Sequence, residues 1–175
     1  MIKCKPRTID SLTDFMMNEL LDLLRRNARQ SDADLAAQVA STEDSVRAQI
    51  TAWEADGTIS GYRAMVDPAR DGGDQVTAFI EVKIRPERGG GFDRQAKRIA
   101  KFEQVTSCYL MSGGYDLLVM VEGCDLVAVA AFVSEKLSSM EGVISTATHF
   151  RLKSYKENGF FFEKESEISR LPVSP

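Results

Sequence analysis

The chain is poor in the residue types that metal and acid–base chemistry most often use. It holds a single histidine, His149, in 175 residues. One histidine gives no basis for a His/Cys metal cluster. The three cysteines, Cys4, Cys108 and Cys124, are odd in number and form no C-x-x-C pair. They indicate free thiols in a reduced compartment, not a disulfide framework. No apolar run approaches the about 20 residues that span a bilayer. Lys3, Lys5 and Arg7 are followed by no apolar h-region, so the start does not read as a signal peptide. A cytoplasmic protein without a membrane partner is expected. Gly89 to Gly91 lacks the lysine of a phosphate-binding loop and reads as a flexible loop. No nucleophile and base stand in a recognisable motif. The expectation is a non-enzyme without a cofactor.

What is present is ordinary globular material: 43% apolar and 27% charged residues. The length suits one medium domain or two small ones, and either can bury a core. The formal net charge is −4. Residues 1–61 carry seven Lys and Arg against ten Asp and Glu. No basic field covers that segment, so any nucleic-acid contact there relies on local cations, helix N-termini and pairing of copies.

The first 60 residues repeat a period near 3.6. Met17, Leu20, Leu21 and Leu24 form one apolar stripe on a helix of about Asp14 to Asn27. Thr13 or Asp14 can cap its start, and Arg25, Arg26 and Arg29 suit its end. Ser31-Asp32-Ala33-Asp34 is a helix-start signature, followed by Leu35, Ala36 and Val39. Ser41 to Ser45 starts another helix, with Val46, Ile50 and Trp53 on its inner face and Gly57 beyond its end. Two short helices separated by room for only a tight turn predict a helix-turn-helix. Ile59 to Val66 reads as extended, which would add a wing.

Beyond Asp67 to Asp74, a segment holding Pro68, Gly72 and Gly73, the period changes to 2. Val76 to Ile84 alternates as a half-buried strand. Phe92, Ala96, Ile99 and Phe102 line a helix. Val105 to Met111 and Leu117 to Val121 are strands joined at Ser112-Gly113-Gly114. Asp125 caps a helix with Leu126, Val129, Ala130, Val133 and Leu137 on its face, and Val143 to Leu152 is a fourth strand. The expected fold class is α+β: an N-terminal (winged) helix-turn-helix and a C-terminal ferredoxin-like βαββαβ domain. The expected boundaries are 1–66 for the head, 67–74 for a linker, 75–155 for the βαββαβ domain and 156–175 for a C-terminal extension. One sheet face keeps apolar residues uncovered, which suits an oligomer interface. Phe160-Phe161-Phe162 is too apolar for water and is expected to pack on its own sheet or on a partner. Glu163 to Glu167 reads as solvated.

From about residue 14 to 155 the chain resembles the Lrp/AsnC family of feast/famine regulators. The residues that carry the resemblance are Asn27-Ala28-Arg29, then Asp34-Leu35-Ala36, then the run Glu54 to Ala64, read as E-x-x-G-x-I-x-G-Y-x-A. Tyr109 to Leu118 is similar to the family's sensor-domain G-x-Y-D turn, and Gly142-Val143 with Thr146 and Thr148 closes the match. The resemblance implies a RAM/ACT-like sensor domain and a homodimer, often assembled further into a tetramer or octamer. It implies double-stranded DNA as one partner, and a small-molecule effector, usually an amino acid, bound between sensor domains.

Candidate DNA-binding residues are Ser31, Thr42, Glu43, Ser45, Arg47 and Gln49. Val46, Ile50 and Trp53 must face inward, which turns the start of the third helix outward. Arg47 can reach guanine or a phosphate, and Gln49 can pair with adenine. The amides behind Thr42 can hold a phosphate. Family members often carry arginine where this chain has Gln49, and Glu43 and Asp44 add negative charge at the same place. A plain solvated helix fits the same pattern.

Candidate effector-binding residues are Met111, Gly113, Gly114, Tyr115, Asp116, Thr146 and Thr148. The glycines alone fit a hairpin turn. Asp116 can accept from a ligand's amino group or close an internal hydrogen bond. Thr146 and Thr148 share a strand face, where threonine is also simply a good strand residue. His149 points the other way. Two other functions compete with a ligand-modulated transcriptional regulator. One is a sensor or interaction protein with a degenerate head, motivated by the negative N-terminal segment and Gln49. The other is an enzyme like the sirohaem decarboxylases, which resemble this architecture but rely on histidine and other basic side chains.

Overall fold

The computed structural model describes residues 12–68, 70, 72, 75–86 and 91–162. Cys4, Asp71, Gly73, Asp74, Gly89, Gly90, the tail from Glu163, and the side chains of Thr13, Asp14 and Met17 lie outside the described residues. The chain forms two compact units, one ending at Ala64 and the other beginning at Met65.

The first unit is three helices, α1 (Leu12–Arg26), α2 (Asp32–Gln38) and α3 (Glu43–Asp56). Leu20 and Leu24 of α1, Leu35, Ala36 and Val39 around α2, and Val46 and Trp53 of α3 are all buried in one cluster. Ser31 caps α2 by accepting from Asp34 N at 3.1 Å, and Thr42 caps α3 by accepting from Ser45 N at 3.3 Å. The two helices are separated by residues 39–42 alone. The sharp turn forces Ala40 to φ +51°, a left-handed conformation that a Cβ disfavours. Gly57 ends α3 at φ +80°, and Ile59 then donates back to Trp53 O at 2.9 Å. Residues 60–67 form no strand, so the expected wing is absent among the described residues. That segment is instead fastened to α3 by Tyr62 Oη, which donates to Glu54 at 2.8 Å.

The second unit is a four-stranded antiparallel sheet in the order β2-β3-β1-β4, with β1 (Val76–Ile84), β2 (Val105–Leu110), β3 (Leu117–Gly123) and β4 (Val143–Phe150). With α4 (Asp93–Ile99) and α5 (Leu126–Ala131) it makes the ferredoxin-like βαββαβ arrangement. Ala78, Ile80, Val82 and Ile84 of β1 and Leu117, Val119 and Val121 of β3 face the helices, where Ile99, Val129, Phe132 and Leu137 meet them. Phe102 and Phe132 meet edge to face with ring centres 5.4 Å apart.

Three details differ from the sequence pattern. The second helix does not run on as α: residues Phe132–Leu137 form a π-helical segment, closed by Ser138 N donating to Val133 O at 2.8 Å. Val129, Phe132 and Leu137 are buried and Val133 is half-buried against the same core, while Leu126 and Ala130 are exposed. The widened turn brings Phe132 into the core beside Val133 and Leu137. Gln95 of α4 is buried beside the aliphatic stripe, where a polar side chain is not expected. Lastly, the tail forms a small hairpin, β5 (Lys156–Glu157) with β6 (Phe160–Phe161), turning at Asn158-Gly159. Phe160 and Phe161 are exposed, the latter by 71%, so they do not pack on their own sheet. Lys156 Nζ lies 4.5 Å above the Phe161 ring.

The sheet face away from the helices carries Phe79, Leu118, Met120 and Tyr109, all at least partly exposed. His149 and Glu81 form a diagonal pair there at 3.4 Å.

Candidate nucleic-acid interface and effector site

The outer side of α3 begins with residues that do two jobs. Thr42 Oγ1 is committed to its cap. Ser31 Oγ both caps α2 and donates to Asp34 at 2.7 Å. Glu43, Ser45 and Ala48 are exposed. Arg47 lies one turn into α3, also exposed, and its guanidinium is held twice. Nε donates to Asp32 at 2.9 Å and Nη1 to Asp44 at 3.2 Å. Gln49 is half-buried, contrary to the outward orientation expected. It lies three residues after Val46 and four before Trp53, on the flank of the buried stripe.

At the other unit, residues 111–116 close the β2–β3 hairpin. Met111 N donates to Asp116 O at 2.8 Å and Asp116 N to Val82 O at 3.0 Å. Asp116 Oδ2 accepts from Ile84 N at 2.8 Å. The carboxylate thereby adds one bond to the β1–β3 ladder beyond the last paired backbone groups, Val82 with Leu117. Gly113 has φ +135°, and nothing lies within 4 Å of where its Cβ would stand. Its glycine answers to backbone conformation, not to space. Met111, Gly113 and Gly114 are exposed, while Tyr115 and Asp116 are half-buried.

Thr146 pairs with Val82 and Thr148 with Ile80, so both turn toward the helix side of the sheet. Thr146 Oγ1 lies 3.0 Å from Ser138 Oγ, just beyond the π-helical segment. Val82 stands between Leu117 and Thr146 in register. The hairpin end and Thr146 are thus two strand spacings apart, about 10 Å. Thr148 lies one pleat farther along. Among the described residues no group of three or more His, Cys, Asp or Glu is placed to hold a metal ion. No described helix is long and apolar enough to cross a membrane.

The model of the Lrp/AsnC ligand binding domain matches residues 77–160. The uncharacterized HTH-type transcriptional regulator YugG of Bacillus subtilis is 44% identical over 158 residues, covering 90% of this chain and 95% of its own length. The chain belongs to the Lrp/AsnC family. The proline dehydrogenase transcriptional activator of Rhodobacter capsulatus is 32% identical, covering 83% of this chain and 94% of its own. Among solved structures, a transcriptional regulator of Neisseria meningitidis in complex with L-Met superimposes with a TM-score of 0.62 at 27% identity. That match covers 81% of this chain and 91% of the other.

The run that carries the Lrp/AsnC resemblance has a physical explanation here. Gly57 supplies the left-handed end of α3, Ile59 packs on the three-helix core, and Tyr62 returns to Glu54. Partial burial and the Glu54 carboxylate push the Tyr62 phenol above its usual range. Hydrogen bonds from Thr58 hold the Asp56 carboxyl below its own.

Sequence reasoning missed three partners: Asp32 for Arg47, the Ile84 amide for Asp116, and Ser138 for Thr146. Each joins residues on different elements. Asp32 was visible only as part of a helix-start signature, and nothing local marked the other two.

Proposed function

We propose that this chain is a sequence-specific DNA-binding transcriptional regulator modulated by an amino acid. The observation that carries the reading is the α2–α3 pair. Two capped helices meet across a four-residue turn, with Arg47 exposed on the second and its buried side fastened by Val46 and Trp53. That is a helix-turn-helix, and α3 is its recognition helix. Ser31, Thr42, Glu43 and Ser45 border the same surface, while half-buried Gln49 contributes at its edge. The relatives named as transcriptional regulators support the reading.

A single head with net negative charge binds weakly, so useful affinity comes from a homodimer on two half-sites about one helical turn apart. The open sheet face, with Phe79, Leu118 and Met120, supports pairing of sensor domains. An amino acid would bind around the β2–β3 hairpin, with Met111, Gly113, Gly114, Tyr115 and Asp116 on one side and Thr146 and Thr148 on the other. The relative crystallised with L-Met supports that ligand class. Such a regulator works in the cytoplasm.

The test is selection of bound fragments from genomic DNA, followed by a salt titration of the enriched site. A recurrent two-half-site sequence is expected, with affinity falling at least about tenfold between 50 and 200 mM salt. No enriched sequence, or no salt dependence, would leave the head a degenerate one and overturn the reading.

A further inference from the structure

We infer that Asp32 is a positioning residue for DNA recognition: with Asp44 it holds the Arg47 guanidinium so that its terminal N–H groups meet a guanine edge. This rests on the DNA-binding reading above and assigns the base class read by one position of each half-site.

The geometry of the guanidinium carries the argument. Arginine has five N–H donors in a planar fork. Here the single Nε donor is engaged by Asp32 at 2.9 Å, and one Nη1 donor by Asp44 at 3.2 Å. One hydrogen on Nη1 and two on Nη2 are left. Guanine O6 and N7 are met by two neighbouring donors, and one from each terminal nitrogen satisfies that. Asp32 therefore occupies the inner donor and Asp44 one terminal donor, which leaves three terminal hydrogens for the base.

The two carboxylates are not equivalent. Asp44 lies on α3 itself, three residues before Arg47, with 95% of its side chain exposed. Asp32 reaches across from the first turn of α2, 15 residues earlier, with only 32% exposed. Asp32 is the firmer hold. Exposed ion pairs contribute little to folding stability, so the arrangement is not explained by the fold. Both carboxylates also repel phosphate, which lowers affinity for DNA of the wrong sequence. A positioned arginine in a negative setting trades general affinity for discrimination.

The test compares Asp32→Ala, Asp32→Asn and Arg47→Ala in the full chain. Binding is measured to the selected site, to the same site with each guanine replaced, and to a scrambled duplex, at one salt concentration. Trp53 emission checks that each head is folded. Arg47→Ala should erase preference at one guanine per half-site, about tenfold or more for a bidentate contact. Asp32→Ala should tighten binding to the scrambled duplex and weaken that same guanine preference. Asp32→Asn should tighten scrambled binding equally but keep most of the preference, because its amide oxygen still accepts from Nε. If Asp32→Ala tightens binding to every duplex by one common factor, Asp32 is only a repelling charge and the inference is overturned. It is equally overturned if Arg47→Ala changes no guanine preference in a protein that does select a sequence. A wild-type protein that selects no sequence overturns the DNA-binding reading, and this with it.

Discussion

Asp116 Oδ2 accepts a hydrogen bond from the Ile84 amide at 2.8 Å, tying the β2–β3 hairpin to the far end of β1. The bond is partly buried, so losing the acceptor leaves an amide without its partner. Asp116→Ala is expected to lower stability by about 1–2 kcal/mol in urea melts. Asp116→Asn keeps an oxygen for Ile84 and should cost less. If the carboxylate also holds an effector's amino group, Asp116→Asn will weaken amino-acid binding more than stability. Calorimetric titration with the amino acid that most raises the melting temperature separates the two roles. Equal losses in both measurements would assign Asp116 to structure alone.

Ala40 stands at φ +51° in the turn between α2 and α3. Glycine removes the clash of its Cβ with the backbone, offset in part by glycine's freedom in the unfolded chain. Ala40→Gly should stabilise the head by about 0.5 kcal/mol, a rise of about 2–4 °C for a unit this small. Trp53 is the sole tryptophan and is buried in the head, so its emission follows that unit. A lower midpoint would mean that the turn is not held at a left-handed residue.

Cys108 and Cys124 differ in setting. Cys108 is half-buried, and burial pushes its thiol above the usual range, while Cys124 is exposed. The thiolate is the reactive form, so a raised pKa leaves less of it at a given pH. Iodoacetamide at pH 8 should label Cys124 well before Cys108, and Cys108 should gain more as the pH rises. Peptide mass spectrometry after timed quenching checks this. Faster labelling of Cys108 would contradict the packing of β2.

Leu118 lies on the sheet face away from the helices, between Glu81 of β1 and Tyr109 of β2. A glutamate there leaves the helix-facing core untouched but puts a charge into any sheet-to-sheet interface. Leu118→Glu should convert a dimer to a monomer by light scattering. An unchanged mass would place the interface elsewhere on the chain.

Much of the architecture could be read locally. Ser31, Thr42 and Asp125 each accept from an amide three residues on, so a short stretch of chain decides the cap. Alternation in β1 marked Ala78, Ile80, Val82 and Ile84 as one face, and the register sets that face beside Val121, Val119 and Leu117 of β3. The Asn158-Gly159 turn was equally local, a hairpin signal between Lys156 and Phe161 that the sequence reading passed over. The π-helical segment was not local in that sense. Its wider turn puts Phe132 and Leu137, five residues apart, inward together, which a 3.6-residue period cannot describe.

Periodicity, capping and turn chemistry act over three to five residues, so the order of helices and strands was decided by the sequence alone. The partners of Arg47, Asp116 and Thr146 were decided only when distant elements packed. A hydrogen bond depends on position to within a fraction of an ångström. Residues 15 or 32 apart in the chain come within that range through the fold, and no spacing in the sequence encodes it.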